Sequence, residues 1–202
     1  MAITASDFRA AFVSEWQRID QEHPYEITDA YENDTAWSEF MLSSNGFLKK
    51  VMESISGQKQ LKLSFHRGWH DCDCVYLSGD EYTGDDSDSS RPESRTEVAV
   101  MHENIFSNIG PEMEKLIHIR SPLKVLITYA PYQADKGVNK NLLAIRNMLT
   151  DTWKGVAGSS HLIDEDSEFL IIIGDREKKT DKTSDIKWSW VGKGVVNPDP
   201  LR

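Results

Sequence analysis

The sequence lacks any apolar run that approaches the ~18–20 residues of a membrane-spanning helix. Its first residues, from Met1 to Asp7, contain neither the basic region nor the apolar stretch of a secretory signal peptide. A glycine-rich phosphate-binding loop and a serine nucleophile motif are also missing, which argues against nucleotide-dependent chemistry and serine hydrolysis. These absences predict a cytoplasmic protein with no membrane partner.

Cysteine is scarce, since the 202 residues include only Cys72 and Cys74. The two lie two residues apart on one predicted strand, so their side chains are expected on the same face, where a disulfide would be strained. A zinc site would need two further soft ligands, and the nearby His66 and His70 match no familiar zinc spacing. We interpret both cysteines as buried, reduced thiols.

Basic residues are too few to balance the acids: 23 Lys and Arg stand against 33 Asp and Glu, for a net charge of -10. This argues against a protein that binds nucleic acid through a broadly basic surface. The acidic composition is compatible with a nuclease, because the metal site of a nuclease is itself acidic. Many of the acids lie in residues 79–90, which are predicted to form a mobile, solvated loop rather than an EF-hand.

Hydrophobic periodicity predicts helices first and strands later, with a change of period from 3.6 to 2 near residue 60. Ser6 or Asp7 can cap the first helix. The second helix is either continuous or broken near Gly46, and Gly57 is expected to end it. The predicted elements, in chain order, are helix 6–22, helix 34–56, strands 60–66, 70–78 and 96–103, helix 111–120, strand 123–130, helix 139–153, strand 168–174 and edge strand 186–191.

These elements predict an α/β (mixed α+β) fold in which a central mixed β-sheet is flanked by helices. We expect one domain over residues 1–202, with a core at 34–130. The helix at 6–22 would precede this core, and the helix and strands at 139–192 would extend it. Strand 123–130 is almost continuously hydrophobic, which is typical of a central strand covered on both faces.

Acidic residues fall on two neighbouring predicted strands. Asp71 and Asp73 lie on the second strand, and Glu103 ends the third. Strand alternation places Met101 and Glu103 on one face of the sheet and His102 on the other. Because hard divalent cations require several converging oxygen ligands, Asp73 and Glu103 are candidate metal ligands, with Asp71 close by.

The order helix, three strands, helix, strand over roughly residues 34–130 resembles the common core of the PD-(D/E)XK, or restriction-endonuclease-like, nuclease superfamily. That pattern places an Asp on the second core strand and an acid-x-Lys at the end of the third. Asp73 matches the first position, and Glu103 stands at the terminal position in place of the usual lysine. Met101 occupies the place of the middle acid. Residues 98–104 look like the strand of a prokaryotic group that ends in Glu-His-Glu-Asn.

This resemblance implies a nuclease that depends on Mg²⁺, or on Mn²⁺, and acts on nucleic acid phosphodiesters. Asp73, Glu103 and Asp71 would be its metal ligands. The resemblance assigns the missing basic group to Lys115 on the following helix, or in second place to Lys124, because members of the superfamily relocate this lysine. Many nucleases of this class act as homodimers in order to cut two strands.

Other interpretations stay open. A thioether is a poor ligand for magnesium, so Met101 favours a nuclease-like fold that has lost catalysis and has a binding or regulatory role with a protein partner. A third alternative is an acidic protein that mimics DNA or inhibits a basic partner. It is the weaker one, because the negative charge is concentrated in one loop rather than along helices. Acids at strand ends are also commonly solvated or paired with a neighbouring cation, without any further role.

Overall fold

A computed structural model describes residues 2–31, 34–68, 72–78, 95–104, 108–130, 167–175 and 187–192. The predicted helix 139–153 and the acidic segment 79–90 lie outside these ranges. The helices within them are α1 (Ala5–Glu22), α2 (Pro24–Tyr31), α3 (Asp34–Leu42), α4 (Phe47–Lys59) and α5 (Ile109–His118). The strands are β1 (Leu63–Arg67), β2 (Cys74–Ser78), β3 (Arg95–Glu103), β4 (Leu123–Ala130), β5 (Glu168–Asp175) and β6 (Lys187–Gly192).

The six strands form one mixed sheet in the order β1-β2-β3-β4-β5-β6. Strands β1, β2 and β3 are antiparallel neighbours, β3, β4 and β5 run parallel, and β6 pairs antiparallel with β5. Helix α5 connects the parallel strands β3 and β4, as a crossover must. The predicted fold class, a central mixed sheet flanked by helices, is confirmed.

Helices cover both faces of this sheet. Helices α1 to α4 pack on one face, here called the α1–α4 face, against side chains that include Val100 and Val125. Helix α5 packs on the other, the α5 face, where Met113 and Leu116 meet Met101. Each such buried side chain contributes about 1.5–3 kcal/mol through its removal from water. None of the helices in the described ranges is both long enough and apolar enough to cross a membrane.

The first helix begins with a capping box at Thr4. Its hydroxyl accepts a hydrogen bond from the backbone N–H of Asp7 (3.2 Å), and the Asp7 carboxylate accepts one from the backbone N–H of Thr4 (2.8 Å). Both groups satisfy donors that the first turn of a helix leaves unpaired. The prediction that Ser6 or Asp7 is the cap was therefore wrong, because Asp7 is the third residue of the helix and acts in the box.

The predicted helix 34–56 is two helices that are separated at Gly46. A Cβ atom at Gly46 would lie 2.8–3.0 Å from backbone atoms at the end of α3, so the chain can turn this tightly only without a side chain. The prediction that Gly57 ends the second helix was wrong. Helix α4 continues through Gly57 to Lys59, and Gln60 ends it in the left-handed conformation with φ of 55°.

Both cysteines are buried and free, as predicted. Burial raises the pKa of the Cys74 thiol well above its usual range, so this group stays protonated. The expectation that the two side chains share a face was wrong: Cys74 belongs to the α1–α4 face and Cys72 to the α5 face. Regular alternation does not extend from one to the other, because β2 begins only at Cys74 and the chain bends at Asp73.

Candidate functional site

The candidate site lies at the edge of the sheet where the parallel strands β3 and β4 end. Glu103, the last residue of β3, pairs in register with Thr128 of β4. Strand β2 runs antiparallel to β3 and begins with Cys74 opposite Val100, which brings the preceding Asp73 next to the end of β3. In open α/β sheets, ligands bind beyond the carboxyl ends of the parallel strands.

Helix α5 adds two charged side chains to this edge. The helix returns from the end of β3 to the start of β4, so its first turns lie beside the last residues of β3. Glu112 lies in the first turn of α5 and Lys115 follows it by three residues, in the last turn; both side chains affect the pKa of Asp73. We call the group formed by Asp73, Glu103, Glu112 and Lys115 the acidic edge.

Asp73 is a partly buried carboxylate at the point where β2 begins. Its Oδ2 atom accepts a hydrogen bond of 2.6 Å from the backbone N–H of His102. The β2–β3 ladder ends here, so the His102 N–H bonds to the Asp73 side chain instead of to a backbone carbonyl of β2. This bond gives Asp73 a structural role beside any functional one.

Burial and neighbouring charges together raise the pKa of Asp73 above its usual 3.8. Burial is the largest cause, and the hydrogen bond from His102 opposes it. The carboxylates of Glu112 and Glu103 raise this pKa further, whereas the ammonium of Lys115 lowers it. Carboxylates that repel one another in this way favour the binding of a cation or a proton.

The structure brings one of the two candidate lysines to the acidic edge. The Nζ atom of Lys115 donates to Oε1 of Glu112 at 2.8 Å, and the Lys115 side chain is 49% exposed. Lys124 is only 2% exposed and donates to the carbonyl of Ile117 at the end of α5 (3.0 Å). Lys124 pairs with Ala99, four residues before the end of β3 and hence about 13 Å along the strand from the acidic edge.

The remaining positions of the predicted metal site provide no further ligand among the described residues. Asp71 lies outside the described residues. Met101, two residues before Glu103 on β3, is 2% exposed within the apolar cluster of the α5 face. Among the described residues, no group of three or more His, Cys, Asp or Glu side chains is arranged to hold a metal ion. Magnesium commonly keeps several waters and binds through one or two carboxylates plus substrate phosphates, so Asp73 and Glu103 fit a hydrated ion but not a closed cage.

A buried polar network, which the sequence did not reveal, supports the acidic edge from the α1–α4 face. The Nε1–H of Trp37 donates to the hydroxyl oxygen of Tyr129 (2.7 Å), and Nε2 of His102 lies 2.8 Å from the same oxygen. Because an indole N–H can only donate, the Tyr129 oxygen accepts from Trp37, and the direction of its bond with His102 depends on which ring nitrogen of His102 carries the proton. Burial lowers the pKa of His102 to about 3, so its ring is neutral near pH 7.

His102 thus connects the two faces of the sheet. Its side chain joins α3 and β4 through Trp37 and Tyr129, and its backbone N–H holds Asp73, whose pKa is affected by Glu112 and Lys115 of α5. Strand alternation predicted that His102 points away from Glu103. The partners of its ring could not be predicted, because they come from elements far away in the sequence.

Asp73→Asn is expected to keep or raise the stability of the chain at pH 7, whereas Asp73→Ala is expected to lower it by about 1–3 kcal/mol. Asparagine keeps an oxygen that accepts from the His102 N–H and removes the repelled charge, whereas alanine leaves this donor unpaired. Since the folded-state pKa of Asp73 is raised, its contribution to stability is fully present below pH 3.8 and is lost as the pH rises through the folded pKa. The advantage of asparagine should therefore shrink as the pH falls toward 3.8.

Urea denaturation of the two variants at several pH values between 4 and 8 would measure this effect. A loss of stability in Asp73→Asn at pH 7, comparable to that in Asp73→Ala, would mean that the Asp73 charge is part of a stabilising ion pair.

Comparisons of the chain with protein-family models, curated proteins and solved structures found no match.

Proposed function

We propose that the chain is a divergent, metal-dependent nuclease-like protein that acts on nucleic acid phosphodiesters at its acidic edge. One observation carries this proposal: the Asp73 carboxylate, directly before β2, accepts a hydrogen bond of 2.6 Å from the backbone N–H of His102, the residue that precedes Glu103 at the end of β3. The order α4, β1, β2, β3, α5, β4 supports it, because this is the element order of the restriction-endonuclease-like core.

The chemistry of phosphodiester hydrolysis explains why these side chains matter. A bound Mg²⁺ or Mn²⁺ ion would activate water and stabilise the charge that develops on the phosphate. Asp73 and Glu103 would hold this ion. Lys115 is half exposed and bonded to Glu112, so its ammonium can exchange that partner for a phosphate oxygen and stabilise the same charge.

A second basic side chain lies near this edge and helps to explain how an acidic protein would hold a phosphate backbone. Arg67 ends β1 and pairs in register with Cys74, next to Asp73. Its Nη1 atom lies 2.7 Å from Oε1 of Glu39, and both side chains are about half exposed. Arg67 and Lys115 are each paired with a glutamate, so either cation could exchange its carboxylate partner for a phosphate oxygen although the edge is acidic overall.

Cleavage of labelled DNA and RNA in the presence of Mg²⁺ or Mn²⁺ tests the proposal. Asp73→Asn and Glu103→Gln should each reduce the rate by about 100-fold or more, because metal-ion stabilisation is worth several kcal/mol and each 1.36 kcal/mol is tenfold in rate. Glu114→Gln is the matched control, since Glu114 is an exposed acid on α5 that does not contribute to the pKa of Asp73. Rates that are equal in all variants, or no cleavage of either substrate, would contradict the proposal.

A second candidate function is a nuclease-like fold without catalysis, in which the same edge binds or regulates a protein partner. Met101 favours it, because this buried thioether provides no oxygen ligand where the superfamily pattern has its middle acid. The two candidates differ in metal binding, which calorimetry with Mn²⁺ measures. Sedimentation of the same samples tests the homodimer that double-strand cleavage would favour.

A further inference from the structure

Thr128 is a completely buried residue of β4 whose hydroxyl is not satisfied. Its exposed fraction is 0%, and its Oγ1 atom has no hydrogen-bond partner among the described residues. A valine has almost the same shape and would fill this place without burying an unpaired hydroxyl, which is destabilising. Packing against the described residues therefore does not explain why a threonine is present.

The position of Thr128 places its hydroxyl at the acidic edge. Along β4, Leu126 belongs to the α5 face and Ile127 to the α1–α4 face, so Thr128 points to the α5 face by alternation. Glu103 follows Met101 on that same face. Thr128 and Glu103 are register partners on neighbouring strands, about 4.8 Å apart in the direction of the sheet hydrogen bonds.

Apolar side chains occupy two neighbouring positions of Thr128 on this face. Leu126 precedes it on β4, and Ile173 is its register partner on β5. Both belong to the apolar cluster of the α5 face. The polar group nearest to the Thr128 hydroxyl along the sheet is therefore Glu103 of the acidic edge. An ion held by Glu103 would lie next to Oγ1.

We infer that the hydroxyl of Thr128 is a third oxygen group of this site, which positions a hydrated divalent cation that Asp73 and Glu103 hold. The inference rests on the proposed function, since it concerns the same cation. Thr128 acts as a positioning residue: it offers a hydrogen-bond partner to the hydration shell and thereby fixes where the ion lies between the two carboxylates. Outer-shell partners of this kind typically change metal affinity by about 10- to 100-fold.

Titration calorimetry with Mn²⁺ on the full chain tests the inference. Thr128→Val should weaken Mn²⁺ binding about tenfold or more, and Thr128→Ser, which keeps the hydroxyl, should bind like the unsubstituted chain. Thr96→Val is the matched control, because Thr96 lies near the other end of β3 and should leave the affinity unchanged. Without metal, Thr128→Val should melt about 2–4 °C higher, since the unpaired hydroxyl is removed.

The outcomes separate this inference from the proposed function. If Mn²⁺ binds, and binding is lost in Asp73→Asn but unchanged in Thr128→Val, the inference is wrong and the proposed function stands. If the unsubstituted chain binds no Mn²⁺, both are wrong. A lower melting temperature of metal-free Thr128→Val would show that the hydroxyl stabilises the fold itself, which also overturns the inference.

Discussion

Replacing Gly174 with alanine is expected to destabilise the chain by about 3 kcal/mol, near the upper end of the usual cost of overpacking a core. A Cβ atom at this position would lie 2.7 Å from Cδ1 and 2.9 Å from Cε1 of Tyr129, and 3.0 Å from Cζ3 of Trp188. Both rings are buried, with exposed fractions of 6% and 1%. Neither can move away without disturbing the aromatic core of the α1–α4 face.

The same substitution should also weaken the candidate site, although Gly174 is not part of it. A displaced Tyr129 would lose its contacts with Trp37 and His102, and the His102 backbone holds Asp73. Urea denaturation and Mn²⁺ calorimetry on Gly174→Ala measure the two effects.

Gly57→Ala is the matched control for Gly174→Ala. A Cβ atom at Gly57 would meet nothing within 4 Å, and alanine should stabilise helix α4 by about 0.5–1 kcal/mol. If Gly174→Ala unfolded at the same urea concentration as the unsubstituted chain, Tyr129 would not be as tightly held as these distances require.

These effects share a physical origin, because the sheet couples its two faces at His102. An aromatic core with a Trp37–Tyr129–His102 network fixes the end of β3 from one side. The carboxylates of the acidic edge repel one another on the other side, which favours a bound cation. A rigid apolar support under a group of repelling charges is the arrangement expected of a preorganised site.

Where local sequence determines the structure, the sequence predicts it well. Strand β4 has the predicted bounds of 123–130, because a run of eight mostly apolar residues with several β-branched members is short for a buried helix and typical of a buried strand. Helix α2 is not recognisable in this way. Pro24 looks like the end of the first helix, but it also opens the next one, where its missing N–H has no cost.

Only the part of the site that depends on local sequence could be predicted. Alternation along β3 indicates that Met101 and Glu103 share a face, and the element order brings Asp73 near them. The roles of Glu112 and Thr128 depend on how α5 and β4 are placed against β3, which are contacts between distant parts of the chain. Local periodicity contains no information on such register.

Met101→Glu is expected to make the stability of the chain depend strongly on divalent cations. Met101 is 2% exposed among apolar side chains, and an unpaired buried charge typically costs about 3–5 kcal/mol. The metal-free variant should therefore be much less stable near pH 7. Burial raises the pKa of a carboxyl group, so the penalty should decrease as the pH falls and the new glutamate is protonated.

A cation shared by Asp73, Glu103 and the new carboxylate would offset this penalty. Binding at a concentration 100 times the dissociation constant adds about 2.7 kcal/mol to the free energy of unfolding, so melting temperatures with and without Mg²⁺ or Mn²⁺ measure the effect. Met101→Gln is the control, because it has a similar size and no charge to neutralise.

Cleavage activity that appears only in Met101→Glu would mean that the scaffold is intact and lacks one ligand. A variant that cations do not stabilise would show that position 101 does not face the proposed metal, and the nuclease-like proposal would then lose its geometric basis.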